Sequence, residues 1–148
     1  MADVLFYHLT EKTLEQALPQ LLERTLANGW RAVVQSGDEE RLEGLDNHLW
    51  TYREDSFLPH GREGDGAAHP IWLTAGEDDP NGAQVRFLVQ GATPPEIHTH
   101  QRVAYLFDGL DNDAVATARE RWKAEKAAGH VLTYWQQEGG RWVKKAEA

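Results

Sequence analysis

Short apolar runs and stretches of helical spacing take turns along this chain. Asp3–Leu9 (DVLFYHL) is apolar and aromatic and predicts a buried strand. Leu14, Leu18, Leu21, Leu22, Thr25 and Leu26 then share one helical stripe, which Asn28-Gly29 ends. Pro19 interrupts the stripe and predicts a kink, or a helix that begins near it. Arg31–Gln35 (RAVVQ) predicts a second strand. Ser36-Gly37-Asp38 then forms a turn with Asp38 as N-cap, and Leu42, Leu45, Leu49 and Trp50 follow at helical spacing.

From Arg53 to His69 both periods vanish, which predicts a long loop containing SFLPH. Ile71–Thr74, Val85–Gln90 and Val103–Phe107 predict further strands, the first two separated by the acidic turn GEDDPNG. Asp111 or Asp113 can cap a long helix to Ala128, stopped by Gly129. Val131–Gln137 and Arg141–Lys144 predict a hairpin across Glu138-Gly139-Gly140. Strand, helix, strand, helix with short joins implies an α/β three-layer sandwich with a mainly parallel sheet and right-handed crossovers. The expected organisation is one domain over 1–148, ending in a hairpin or tail at about 131–148.

Composition narrows the function. Hydrophobic residues make up 41% and charged residues 26%, ordinary for a soluble globular protein. No apolar run is long enough to span a bilayer, and the N-terminus does not read as a signal peptide. There are no cysteines, which removes disulfides and thiolate chemistry and accords with a cytoplasmic location. Net charge is −9, so little or no direct nucleic-acid binding is expected. The charge is unevenly placed: residues 1–118 carry −12 and residues 119–148 carry +3. An acidic body with one basic end predicts a local site for an acidic partner.

The nucleotide-binding motifs that such a fold invites are missing. There is no GxxxxGK[ST], and His8-Leu9-Thr10-Glu11-Lys12 after the first strand has no glycine to admit a phosphate. There is no GxSxG elbow or HExxH. His98 and His100, with Glu96, His60 and His69, are the only candidates for a metal site, and they read instead as exposed loop histidines. Asp78-Asp79 beside Pro80 reads as a turn former. No catalytic constellation, cofactor or metal is expected. An enzyme reading, such as a small α/β hydrolase, would need His8, Asp38, His98 and His100 to converge. A direct single-stranded nucleic-acid binder would use Trp122, Trp135 and Trp142 as stacking platforms, although Trp135 and Trp142 read more simply as cross-strand partners.

Three segments in register carry a resemblance: LFYHL at the start, LDNHLW followed by DSFLPH across Leu45–His60, and ARERWKAEKAAGH across Ala118–His130. Together they resemble the chi subunit family of bacterial DNA polymerase III over essentially the whole chain. The resemblance implies a Rossmann-like fold without a nucleotide site. It implies a non-catalytic subunit of a DNA-directed DNA polymerase complex that acts in DNA replication. Such a subunit links the clamp loader, through its psi subunit, to the acidic C-terminal tail of single-stranded-DNA-binding protein. A helicase can take the place of psi on the same surface in DNA repair.

The implied tail site is Arg119, Trp122, Lys123, Lys126 and Trp50. Arg119, Trp122, Lys123 and Lys126 fall at i, i+3, i+4 and i+7, so one helix face carries cations around an aromatic ring. An arginine fork grips a carboxylate, and an aromatic wall suits the ring that ends the tail. The family usually has Tyr where Trp122 stands. Val115 stands where better-known members place another basic residue, and one lost exposed cation weakens such a contact by about 0.2–1 kcal/mol. The psi or helicase site is expected at Phe57, Leu58 and Pro59.

Overall fold

A computed structural model of the chain describes residues 2–51, 59–95 and 98–148. The elements run β1 (Asp3–Leu9), α1 (Leu14–Ala27), β2 (Ala32–Ser36), α2 (Glu39–Thr51), β3 (His60–Gly61), β4 (Ile71–Thr74), β5 (Val85–Val89), β6 (Arg102–Asp108), α3 (Asn112–Ala127), β7 (Val131–Glu138) and β8 (Arg141–Glu147). The strands form one eight-stranded sheet in the order β3-β4-β2-β5-β6-β1-β7-β8. Every pairing is parallel except the β7–β8 hairpin. The α/β sandwich read from the sequence is therefore the architecture found.

Both faces of the sheet are covered. On face one, Leu18 and Leu22 of α1 and Leu45 and Leu49 of α2 pack against Ala32, Val34, Ile71, Leu73 and Phe87. Fully burying each such leucine contributes about 1.5–3 kcal/mol. On face two, α3 covers Val4, Phe6, Tyr105 and Leu132 with only Ala118 and Trp122 as its apolar contacts. The small Ala118 lets the helix approach the sheet, while the rest of α3 stays largely exposed. Consecutive residues of a strand point to opposite faces, so β1 sends Phe6 and His8 to face two and Tyr7 and Leu9 to face one.

Helix α1 neither begins near Pro19 nor ends there. Proline has no N–H to give the Glu15 carbonyl one turn back, and His48 Nε2 of α2 donates to that carbonyl instead at 2.6 Å. Within the stretch read as one long loop, β3 is a two-residue strand that pairs with β4. It is too short to leave a periodic signal.

Part of face two is closed by a polar loop where a helix would ordinarily cross from β4 to β5. Arg86, 1% exposed, donates from Nε to Gln35 Oε1 (2.9 Å) and from its two terminal nitrogens to the Asp78 and Gly76 carbonyls (3.2 and 2.9 Å). Trp72 Nε1 donates to Asp78 Oδ2 at 2.6 Å, and Thr74 Oγ1 donates to the other oxygen of that carboxylate. Burial opposes the Asp78 charge, but these hydrogen bonds and the Arg86 guanidinium hold its carboxyl below the usual range. Asp78 thus holds a turn together, as its neighbours in sequence suggested. Arg86→Leu would strand the Gln35 amide oxygen and two loop carbonyls. We expect it to cost about 2–5 kcal/mol in urea unfolding, whereas a loss within experimental error would show that the loop holds itself.

Candidate functional site

Helix α3 begins on Asp111, whose Oδ1 accepts from the Asp113 and Ala114 N–H groups at 3.0 and 3.3 Å. It ends before Gly129, which sits at φ +86° where only glycine is at ease. With Ala118 turned to the sheet, the helical period places Val115, Arg119, Trp122, Lys123 and Lys126 along one flank. Arg119, Lys123 and Lys126 are exposed, and among the described residues none has an ion-pair partner. Trp122 is half-buried. Its ring packs 5.4 Å from Phe6 and 6.0 Å from Tyr134, so it walls the core as well as the flank.

Beside this flank His8 and Phe107, near the carboxyl ends of β1 and β6, form an aromatic shelf with Tyr134 from the middle of β7. His8 Nδ1 and the Tyr134 hydroxyl lie 2.7 Å apart, and the His8 ring is 5.0 Å from Phe107. The shelf depends on Gly109, where a Cβ would sit 2.2 Å from the His8 ring. Burial holds the His8 imidazole below its usual pKa, and the Arg119 charge adds to this against the Gly109 carbonyl and Asp108. Arg119 therefore stands close enough to act on the shelf. A cation beside half-buried aromatic rings offers groups that suit a carboxylate attached to an aromatic group.

A separate cleft of about 550 Å³ opens on the other side of α3, where α1 and α3 leave the sheet towards opposite faces. Its wall is apolar, but Glu11, Glu15, Asp108 and Asp111 outnumber Lys12 and Arg41 around it. An acidic ligand is better served by the Arg119 flank.

The family described as "DNA polymerase III chi subunit, HolC" matches residues 1–133.

The chain belongs to the chi subunit family of DNA polymerase III.

Among curated relatives, it is 30% identical over 115 residues to a probable DNA polymerase III subunit chi of Rickettsia prowazekii, covering 72% of this chain and 70% of the relative. It is 25% identical over 118 residues to the subunit chi of Pseudomonas aeruginosa, covering 79% and 82%. With the Escherichia coli subunit chi the match is 23% over 141 residues, covering 89% and 96%. No helix among the described residues is long and apolar enough to cross a membrane.

The structure separates one residue from the site expected for it. Trp50 is 49% exposed at the end of α2, on face one, with its ring 4.2 Å from that of His60 in the edge strand β3. Arg119 and Trp122 lie on face two above β1, five strand spacings or roughly 24 Å away. Trp50 does not converge with them. Its neighbour His60 follows the half-buried Pro59 in the chain, while Phe57 and Leu58 lie outside the described residues. Asp46 fixes the chain here, with Oδ1 3.0 Å from His60 Nε2 and Oδ2 accepting from Arg62 Nε at 3.2 Å.

The histidines also differ from expectation. His60 and His100 are buried, and His98 is nearly so in its side chain, because each meets a carboxylate. His98 lies 2.6 Å from Glu125, and His100 lies 3.2 Å from Asp79, within ion-pair range but not aligned for a hydrogen bond. His98, Glu125 and His130 bring three ligand-type atoms within 4.8 Å of one another. His130 Nδ1 accepts the Ala2 N–H at 3.0 Å, which puts the proton of the neutral ring on Nε2 and leaves that nitrogen no lone pair for a metal. His98 and His100 precede β6, whereas His8 sits near the far end of β1, so the grouping a hydrolase would need does not form.

Phe107 and Tyr134 were not singled out in the sequence, and His8 was singled out only for the hydrolase grouping. Alternation put His8 and Phe6 on one face, but only strand pairing reveals which rings meet there. Arg119→Ala should raise the His8 pKa towards its ordinary value by removing a neighbouring cation. An NMR titration of the His8 ring checks this, and an unchanged value would place Arg119 away from the shelf.

Proposed function

We propose that this chain is a non-catalytic accessory subunit of DNA polymerase III, and that the α3 flank holds the acidic C-terminal tail of single-stranded-DNA-binding protein. The observation that carries this reading is the set of cations Arg119, Lys123 and Lys126, without ion-pair partners among the described residues, beside the Trp122–His8–Tyr134 rings. The Arg119 fork takes the tail's terminal carboxylate, and the tail's aromatic ring lies on the shelf. Lys123 and Lys126, one turn further on, meet the acidic residues upstream of it. Val115 supplies no charge, so Lys126 carries more of the contact.

A second surface suits the psi subunit of the clamp loader, or a helicase in its place. It gathers Trp50, Pro59 and, from the sequence, Phe57 and Leu58. Trp50 moves to this surface on its position alone, an exposed indole 4.2 Å from the ring of His60, the residue that follows SFLP in the sequence. Two surfaces on opposite faces allow both partners to bind at once, which a tether requires.

Arg119→Ala should weaken binding of a synthetic acidic tail peptide by about tenfold or more, with an unchanged melting temperature because the side chain is exposed. Isothermal titration at low and high salt checks this, and salt should weaken the wild-type contact. Unchanged affinity would remove Arg119 from the site. Trp50→Ala should leave tail binding intact and weaken capture of psi or the helicase. Loss of tail binding in this variant would show that the two surfaces are not separate.

A further inference from the structure

The family match ends at residue 133, inside β7, so the rest of that strand and all of β8 lie beyond it. On face one these residues and α1 enclose a cleft of about 380 Å³. Lys12, Gln20 and Arg24 line one side, and Trp135, Arg141 and Trp142 line the other. Trp135 and Trp142 are not cross-strand partners: Trp135 pairs with Lys144, and Trp142 pairs with Gln137. The two indoles are instead offset diagonally in the same cleft wall.

The cleft is cationic within an acidic protein. Among the described residues Lys12, Arg24 and Arg141 have no ion-pair partner. The neighbouring carboxylate of Glu11 already accepts the Gly140 N–H at 3.1 Å. The Lys144 ammonium lies 5.9 Å from the Trp135 ring centre, and Arg24 and Arg102 both act on the hydroxyl of Tyr7, whose ring meets Trp142 at 4.9 Å. Trp135 Nε1 is buried without an acceptor.

We propose that this cleft is a short contact site for single-stranded nucleic acid. Bases stack against the two indoles, and phosphate oxygens accept from Arg24, Arg141 and Lys12. Two offset indoles with cations on both sides suit flat rings joined by anionic links better than one terminal carboxylate. The site goes beyond the tail reading and does not rest on it, because Arg119 and Trp122 lie on the other face of the sheet. The net charge of −9 confines the contact to a few phosphates. Neutralising two or three of them gives a slope of log K against log salt of roughly −1.4 to −2.1.

The test is fluorescence anisotropy of the full chain with a labelled oligothymidylate of about sixteen nucleotides. Saturable binding at low salt is expected, with that slope and with quenching of tryptophan emission. The paired substitution Arg24→Glu and Arg141→Glu should weaken it at least about tenfold. Both side chains are exposed, so melting temperature and tail-peptide affinity should not change. Absence of binding at low salt, or binding indifferent to the paired substitution, would overturn the proposal. So would an acidic peptide that binds Arg119→Ala protein and is lost on the paired substitution, because the cleft would then be a peptide site.

Discussion

One side chain occupies the backbone amides with which this fold ordinarily holds a phosphate. Gln137 of β7 is buried, and its Oε1 accepts the N–H groups of Thr10, Glu11 and Lys12, each at 3.0 Å. Thr10 Oγ1 donates in return to the Gln137 carbonyl at 2.7 Å. These three amides belong to the turn between β1 and α1, the position from which doubly wound α/β proteins offer N–H groups to a phosphate. Here a protein oxygen fills that role. The same bonds stitch the C-terminal hairpin to the start of the chain, so the closed turn and the placement of Trp135 and Trp142 have one cause.

With the turn amides occupied, the proposed recognition surfaces lie on the two sides of the sheet. Helix α3 is held by Ala118 and Trp122 alone among its apolar residues, which leaves a long charged flank at little cost to the core. That flank carries three of the seven basic residues of 119–148, against a body of −12. The acidic body repels anionic ligands elsewhere and so sharpens the preference for this end. On the far edge Trp50 and His60 form a different kind of surface, aromatic and anchored through Asp46. The sheet lies between the two proposed sites.

Much of the fold was legible in the sequence because it rests on local signals. The apolar run of β1, the capped start of α3 at Asp111, its stop at Gly129 and the Gly139-Gly140 hairpin all lie where the pattern placed them. The α3 stripe was legible for the same reason, since helical spacing alone puts Arg119, Trp122, Lys123 and Lys126 on a flank. What escaped depends on long-range pairing. The resemblance grouped Trp50 with the Arg119 helix, but sheet order separates them, and no periodicity reports sheet order. His60, His98 and His100 sat in polar surroundings that suggested exposure, and carboxylates distant in sequence bury them. Gln137 looked like one polar residue of a hairpin, and its three backbone partners lie more than a hundred residues earlier.

The central claim is that the α3 flank and the His8–Phe107–Tyr134 shelf together form a receptor for an acidic peptide ending in an aromatic residue. The most direct measurement is an amide chemical-shift map of the ¹⁵N-labelled chain titrated with such a peptide. The account predicts saturable shifts centred on Val115, Arg119 and Lys123 and on the strand residues His8 and Tyr134, with Trp50 and His60 unmoved. Shifts confined to the Trp50 edge or to the Trp135–Trp142 cleft, or no shifts at low salt, would contradict it.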